Sequence, residues 1–325
     1  MRINFDINKF LDDMPEKLRK KVLKRLLAFY KMIAITGKYS DECMEEGFLP
    51  VAVHFYQPIP DIKELEERNV WDKKSSLNGI DFNSDSFITL LNELSEFSSE
   101  CVWPDKPTGG ESQFYLDNNC FSYGCASALH CLIRKYKPKR IIEVGSGNSS
   151  RVINVAINMN LSEGFEIEDY TIIDPYSILE QEFFHKNTRI IKKQVEHMDT
   201  EFFTKLEEND ILFIDSSHVC KIGSDVNFEI LDVLPLLKKG VLIHFHDICL
   251  PAEYPKIYAT NPSFRMFWTE QYLLQAFLCC NNKFKTILPM HYIQSELEET
   301  FREKFPGGDN VKNWMSGSYW IKKVE

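Results

Sequence analysis

Apolar residues recur every three or four positions near the start of the chain and gather into short apolar strands after residue 120. Leu11, Met14, Leu18, Val22, Leu26 and Tyr30 predict one helix over residues 8–36. Lys17, Arg19, Lys20, Lys21, Lys24 and Arg25 give it a basic face. That face reads as the solvated side of a docked helix; a membrane surface or an acidic partner is the other use of such a pattern. Residues 48–62 carry Pro50, Pro58 and Pro60, which rule out a continuous helix and predict an extended segment. Short helices are predicted over 61–68 and 86–97. Residues 101–113 are turn-rich, with Pro104, Pro107, Gly109 and Gly110. They predict a boundary between an accessory helical and extended segment, residues 1–105, and a second domain, residues 106–325.

From about Cys120 helices and strands alternate. A helix over 122–136 stops before Pro138. Strands are predicted over 141–144, 170–173, 188–191, 211–214, 241–245, 284–288 and 317–322. Helices over 149–159, 200–206, 226–237 and 268–278 separate them. The expected fold is α/β: a seven-stranded, mostly parallel, Rossmann-like sheet with helices on both faces. No internal repeat or low-complexity tract interrupts it.

Composition changes this picture little. The 325 residues are 44% hydrophobic and 26% charged, ample for a sizeable core. The formal net charge of −10 argues against a nucleic-acid partner. Nine cysteines without a CxxC pair read as reduced thiols. The first residues lack the apolar core of a signal peptide, and no apolar run approaches the ~20 residues of a membrane span. A cytoplasmic location and a homo-oligomeric assembly are the expectations.

The chemistry gathers first at residues 140–151, RIIEVGSGNSSR. A strand runs into Gly145 and Gly147, then into helix-capping Asn148, Ser149 and Ser150, the layout of a nucleotide-binding corner. Gly145-x-Gly147-x-x-Ser150 lacks the third glycine of the dinucleotide fingerprint, and Glu143 sits inside the strand, which argues against a nicotinamide cofactor. Asp174, at the end of the second strand, suits a ribose diol.

Glu-x-Gly-x-Gly, an acidic residue after strand two and FIDSSH after strand four together resemble the class I S-adenosylmethionine-dependent methyltransferases. KPKRIIEVGSGNSSRV and DILFIDSSHV are similar to the bacterial subgroup of sugar and natural-product O-methyltransferases, including the macrolide-sugar enzymes. The resemblance covers about residues 115–290. It implies that Glu143, Gly145, Ser146, Gly147 and Ser149 shape the pocket for the methionine part of S-adenosylmethionine. It also implies that Asp174 takes the ribose, that Gln194 borders the adenine and that Asp215 reaches the cofactor.

Ligands of open α/β sheets bind beyond the carboxyl ends of the strands. Asp215 and His218 stand at the end of strand four, and His244, His246 and Asp247 at the end of strand five. A histidine can take the proton of an acceptor hydroxyl, and a divalent metal can lower that hydroxyl's pKa. The enzymes resembled here use Asp-x-x-His after strand four and an acidic pair after strand five around magnesium. This chain keeps Asp215-x-x-His218 but has His246-Asp247 in place of the acidic pair. The expected metal ligands are Asp215, His246 and Asp247, with magnesium, manganese or iron as the ion; a metal-free site with His218 acting alone is the alternative. Residues 249–272, with Tyr254, Tyr258, Phe267, Trp268, Tyr272 and Arg265, read as a lid or acceptor wall. Tyr115, Asn119, Phe121 and Tyr123 precede strand one and could close over the cofactor. The expected function is O-methylation of a small hydroxylated, sugar-containing metabolite. A metal-dependent oxygenase on the same scaffold and a non-catalytic S-adenosylmethionine-binding protein are the rival readings.

Overall fold

The structure, a computed structural model, describes residues 7–108, 113–263, 265–308, 311–312 and 314–325. Gly109 and Gly110 of the turn-rich stretch lie outside the described residues. The chain forms two compact units, residues 1–69 and 70–325. The first contains α1 (Ile7–Asp12), α2 (Glu16–Thr36), α3 (Ser40–Glu45) and α4 (Ile62–Glu67). The helix expected over 8–36 is thus two helices. Pro15 lacks the N–H that a continuing helix would bond, and it starts α2 instead. Gly37 ends α2 in the left-handed conformation, its N–H on the Ile33 carbonyl at 2.8 Å. Asp61 caps α4 by accepting from the Lys63 N–H at 3.0 Å.

In the second unit seven apolar runs form one sheet. β1 (Arg140–Val144), β2 (Asp169–Ile173), β3 (Thr188–Ile191), β4 (Ile211–Ile214), β5 (Leu242–Phe245), β6 (Phe284–Pro289) and β7 (Tyr319–Lys323) take the order β3-β2-β1-β4-β5-β7-β6. β1 to β5 pair in parallel, and β7 runs antiparallel between β5 and β6. The seven strands fall where the apolar runs place them. The chain reverses its winding between β1 and β4, the position at which open α/β sheets leave a crevice for ligands. The alternation of β1 divides the core. Ile141 packs with α5 (Ser84–Leu94), α6 (Tyr123–Tyr136) and α7 (Asn148–Ser162). Ile142 and Val144 pack on the opposite face with Ile230 and Val233.

The helix expected over 226–237 changes character along its length. α8 (Asp225–Asn227) passes into a π-helical turn over Phe228–Val233 and a 3₁₀ turn over Leu234–Leu236. Single π turns of this kind often accompany functional sites. The segment after β5 carries α9 (Lys256–Thr260) and leads to α10 (Glu270–Leu278). Two short helices beyond β6, α11 (Met290–Glu296) and α12 (Glu298–Lys304), have too few turns to announce themselves by period.

The division between units falls after residue 69 and not at residue 105. Phe87, Leu91 and Leu94 of α5 are buried in the same core as α6 and α7. Glu100 accepts from His130 Nε2 and Arg134 Nε of α6, each at 2.8 Å. Lys74 bridges to Ala252, and the Ser75 N–H donates to the Pro251 carbonyl at 2.7 Å. Proline and glycine mark surface turns, and a turn inside one core has the same composition as a linker. Among the described residues no helix is long and apolar enough to cross a membrane.

Candidate active site

The glycine corner is built by close packing. The Gly145 N–H donates to the Ile173 carbonyl at the end of β2, and the Asp215 N–H to the Val144 carbonyl, both at 3.0 Å. Gly145 has φ +81°, and a Cβ there would sit 2.1 Å from the Asp215 carbonyl oxygen. Only glycine lets β1 and β4 meet in this way. Gly147 has φ +154°, with open space where its Cβ would point, so α7 starts with its backbone accessible.

Glu143 is placed differently from the expectation that it contacts the cofactor. Its side chain is fully buried beneath the corner. It accepts from Ser149 Oγ at 2.6 Å, from Ser150 Oγ at 3.1 Å and from the Tyr170 hydroxyl. Burial pushes its carboxyl up to about 7 against these three donors. Glu143 and Ser149 therefore pin α7 to β1 and β2 from behind; the period of two points Glu143 toward the helix with Ile141.

In front of the corner lies a groove of about 450 Å³, walled by Gly145, Ser146, Asp174, Gln194 and Asp215. These five residues are all expected cofactor contacts. Asp174 accepts from Ser146 Oγ and, at 2.8 Å, from the Tyr176 N–H. Tyr176 and Lys221 also face the groove. Their loops carry no motif, and nothing in the sequence singled them out.

Asp215 joins this groove to a cluster of four side chains. Its Oδ1 lies 3.4 Å from His218 Nε2 and 3.5 Å from His246 Nδ1. Asp247 Oδ2 lies 3.7 Å from the same His218 nitrogen and 3.5 Å from the same His246 nitrogen. The four residues expected at the ends of β4 and β5 are thus together. His218 (φ +61°) and Asp247 (φ +54°) both adopt the left-handed conformation, a strained state that clusters at functional sites. Gly317 permits it on one side, since a Cβ there would lie 2.7 Å from Asp247 Cα.

Each histidine is braced from behind. His218 Nδ1 lies 2.7 Å from Glu270 Oε2, at the start of α10. The Thr269 and Glu270 N–H groups donate to the His218 carbonyl at 2.9 and 3.1 Å. His246 Nε2 lies 3.6 Å from Cys125 Sγ, which lies 2.9 Å from Ser316 Oγ. Glu270 was missed because it sits 52 residues from His218 in a helix whose pattern explains it as an ordinary polar position. Only its burial, at 1% exposure, marks it.

Burial works against a charged His218, but Asp215 and Glu270 outweigh it and raise the imidazole to about 10. Asp247 and Asp215 likewise raise His246 against its burial. Burial opposes an ionised Asp215, yet His246 and His218 hold it below the usual carboxylate range; its side chain is 31% exposed, so solvent moderates the effect. His244 is outside the cluster. It stacks on Phe213 at 3.9 Å, bonds Ser318 Oγ at 2.9 Å, and burial holds it below the usual histidine range as a core residue.

Of the expected acceptor wall, the Trp268 ring lies 4.4 Å from the His218 ring, and Tyr258 meets Trp268 edge-on at 4.8 Å. Arg265 is exposed. Upstream, Phe121 stacks on His246 at 5.2 Å, whereas Tyr123 is buried against Trp314. Among the described residues no group of three or more His, Cys, Asp or Glu side chains is arranged to hold a metal ion. Asp215, His246 and Asp247, the expected ligands, pair with one another and with His218 at 3.4–3.7 Å.

Residues 142–248 match the family model described as a methyltransferase domain. An uncharacterised protein of Archaeoglobus fulgidus is 30% identical over 188 residues, covering 55% of this chain and 83% of that protein. Among solved structures, the SAH-bound Podospora anserina methyltransferase PaMTH1 aligns at 17% identity with TM-score 0.39, over 82% of this chain and 98% of that one. CmcI in its apo form aligns at 13% identity with TM-score 0.38, over 62% and 71%. The domain match spans the glycine corner and all four residues of the charged cluster, and it identifies residues 142–248 as a methyltransferase domain.

Proposed function

We propose that the protein is an O-methyltransferase for a small hydroxylated, sugar-containing metabolite. The observation that carries this reading is the junction at Asp215, where the groove of the glycine corner meets the His218 cluster. S-adenosylmethionine, when bound, supplies the methyl group on a cationic sulfonium. Gly145, Ser146 and Gly147 would take its amino-acid end, with Ser149 holding the corner from below. Asp174 has two carboxylate oxygens for the ribose diol, and Gln194 stands where the adenine edge would lie. The carboxylate of Asp215 favours a cation at the junction.

The acceptor hydroxyl would meet His218 Nε2, which takes its proton as general base. Glu270 fixes the ring by holding Nδ1–H, so that Nε2 faces the reacting side. Asp215 and Asp247 orient the acceptor and balance the imidazolium that forms. Trp268 and Tyr258 offer aromatic faces on which a sugar ring can stack, which favours a glycosidic acceptor.

Transfer of label from methyl-labelled S-adenosylmethionine into a panel of glycosides tests the proposal. His218→Ala should reduce turnover by about 10²- to 10⁴-fold, the usual worth of a general base. Asp215→Asn should reduce it as well and also weaken cofactor binding. Full turnover in both variants would sink the assigned roles. The same assay after chelation separates the rival chemistry: loss of turnover that added metal restores would refute a base acting without an ion.

A further inference from the structure

The first unit, residues 1–69, has the surface of an interface and the core of almost nothing. Among the described residues, fifteen of the twenty-seven exposed large hydrophobic side chains belong to it, although it holds 69 of the 325 residues. Among its described residues the buried hydrophobic side chains are Ile33 and Cys43. A segment that buries so little is not stable on its own surface energetics and calls for a partner.

α2 is divided lengthwise. At 100° per residue Leu18, Val22, Leu23, Leu26, Phe29, Tyr30 and Ile33 fall on one half, with Arg19 among them, and Lys17, Lys20, Lys21, Lys24, Arg25 and Lys31 on the other, with Leu27 and Ile35 among them. The apolar half is covered in part: Tyr30 meets Phe48 at 6.2 Å and Phe29 meets Tyr39 at 6.0 Å. Leu27, on the basic side, is 67% exposed, and Phe55 and Tyr56, further along the unit, over 80%.

The charges in this unit are segregated. α2 carries seven basic residues and one acidic, a net of +6, whereas residues 41–67 carry eight acidic and one basic, a net of −7. Four ion pairs of the unit join near neighbours: Arg19 with Asp12, Lys20 with Glu16, Lys63 with Glu67 and Arg68 with Glu64. A surface that holds both a basic helix and an acidic stretch is complementary to itself under a two-fold rotation, the requirement of an isologous contact.

We propose that this unit joins two copies of the chain, with α2 of each copy lying over residues 41–67 of the other. An anionic bilayer suits the basic half of α2 equally, but eight carboxylates in the same small unit would be repelled by it. A helix of 21 residues is about 31 Å long. That length sets the long dimension of the two-fold patch, against the ~800 Å² per partner typical of a specific dimer.

Sedimentation of the full chain over a concentration series tests the proposal. The wild-type chain is expected to dimerise. Leu27→Asp and the pair Lys21→Glu/Lys24→Glu should each raise the dissociation constant by at least ~10-fold. These positions are exposed, and unchanged circular dichroism and melting would show that the variants fold. A mixture of Lys21→Glu/Lys24→Glu with Glu42→Lys/Glu45→Lys chains should associate more tightly than either variant with itself. A wild-type chain that stays monomeric, a dimer indifferent to all these changes, or monomers that bind phosphatidylserine vesicles would each overturn it.

Discussion

Glu270→Gln isolates the electrostatics of the proposed base. In the wild-type chain three carboxylates surround the His218 ring: Glu270 at 2.7 Å, Asp215 at 3.4 Å and Asp247 at 3.7 Å. Asp215 and Glu270 hold its pKa at about 10 despite burial, so at neutral pH most molecules carry an imidazolium that cannot accept a proton. The rate constant kcat/KM, which reports the free enzyme, should therefore climb tenfold per pH unit and level off only near pH 10. Replacing Glu270 removes one charge at hydrogen-bond distance while keeping an acceptor oxygen. An opposite charge at such range is worth roughly 1–3 pKa units, so the limb should move down by that amount. The plateau should fall as well, because an amide can also present its NH₂ and turn the ring to the wrong tautomer. The assay is a pH profile of label transfer, paired with NMR titration of the imidazole Cε1–H. An NMR midpoint that shifts while the rate limb stays put would remove His218 as the base. A midpoint unmoved in both would show that Glu270 does not set it. The sign also governs stability: a raised histidine stabilises fully below its unfolded value of about 6.5. That contribution is lost as the pH climbs through about 10.

Gly145→Ala and Gly147→Ala should separate folding from binding. The first places a Cβ 2.1 Å from a backbone oxygen in addition to its positive φ, and should lower stability by more than ~3 kcal/mol in denaturant titrations. The second meets open space, so it should lose about 1–3 kcal/mol from backbone strain and show its main effect on cofactor affinity by calorimetry. Equal stability of the two variants would contradict the account of the corner. Phe87→Ala empties a fully buried site and should destabilise the sheet-bearing unit by about 3–5 kcal/mol, seen as a lower melting temperature for tryptophan fluorescence and backbone signals together; a loss confined to a separate early transition would place residues 70–105 outside that unit. Asp174→Ala should weaken S-adenosylmethionine by about 1.5–3 kcal/mol, the worth of charge-assisted hydrogen bonds, while leaving the melting temperature of the free protein nearly unchanged.

The alternation of short apolar runs with helical periods determined the sheet. The central runs bury both faces, so their positions need no distant partner to be read, and all seven strands lie where the runs predict. The glycine corner was legible for the same reason: the turn, the tight approach and the helix start are local consequences of Gly145 and Gly147. Other features depend on residues far apart in sequence. Proline and glycine near residue 105 look alike in a linker and in a surface turn, and only the burial of Phe87 and the Glu100 bonds to α6 assign residues 70–105 to the sheet. Glu143 has the right position for a cofactor contact, but the hydroxyls of Ser149, Ser150 and Tyr170 claim its oxygens. Glu270 and Cys125 become braces of His218 and His246 only because α10 and α6 start there. Local sequence sets backbone shape through sterics and burial period. The charge state and aim of an active-site side chain are set by whichever groups folding brings within a few ångströms of it, and those come from anywhere in the chain.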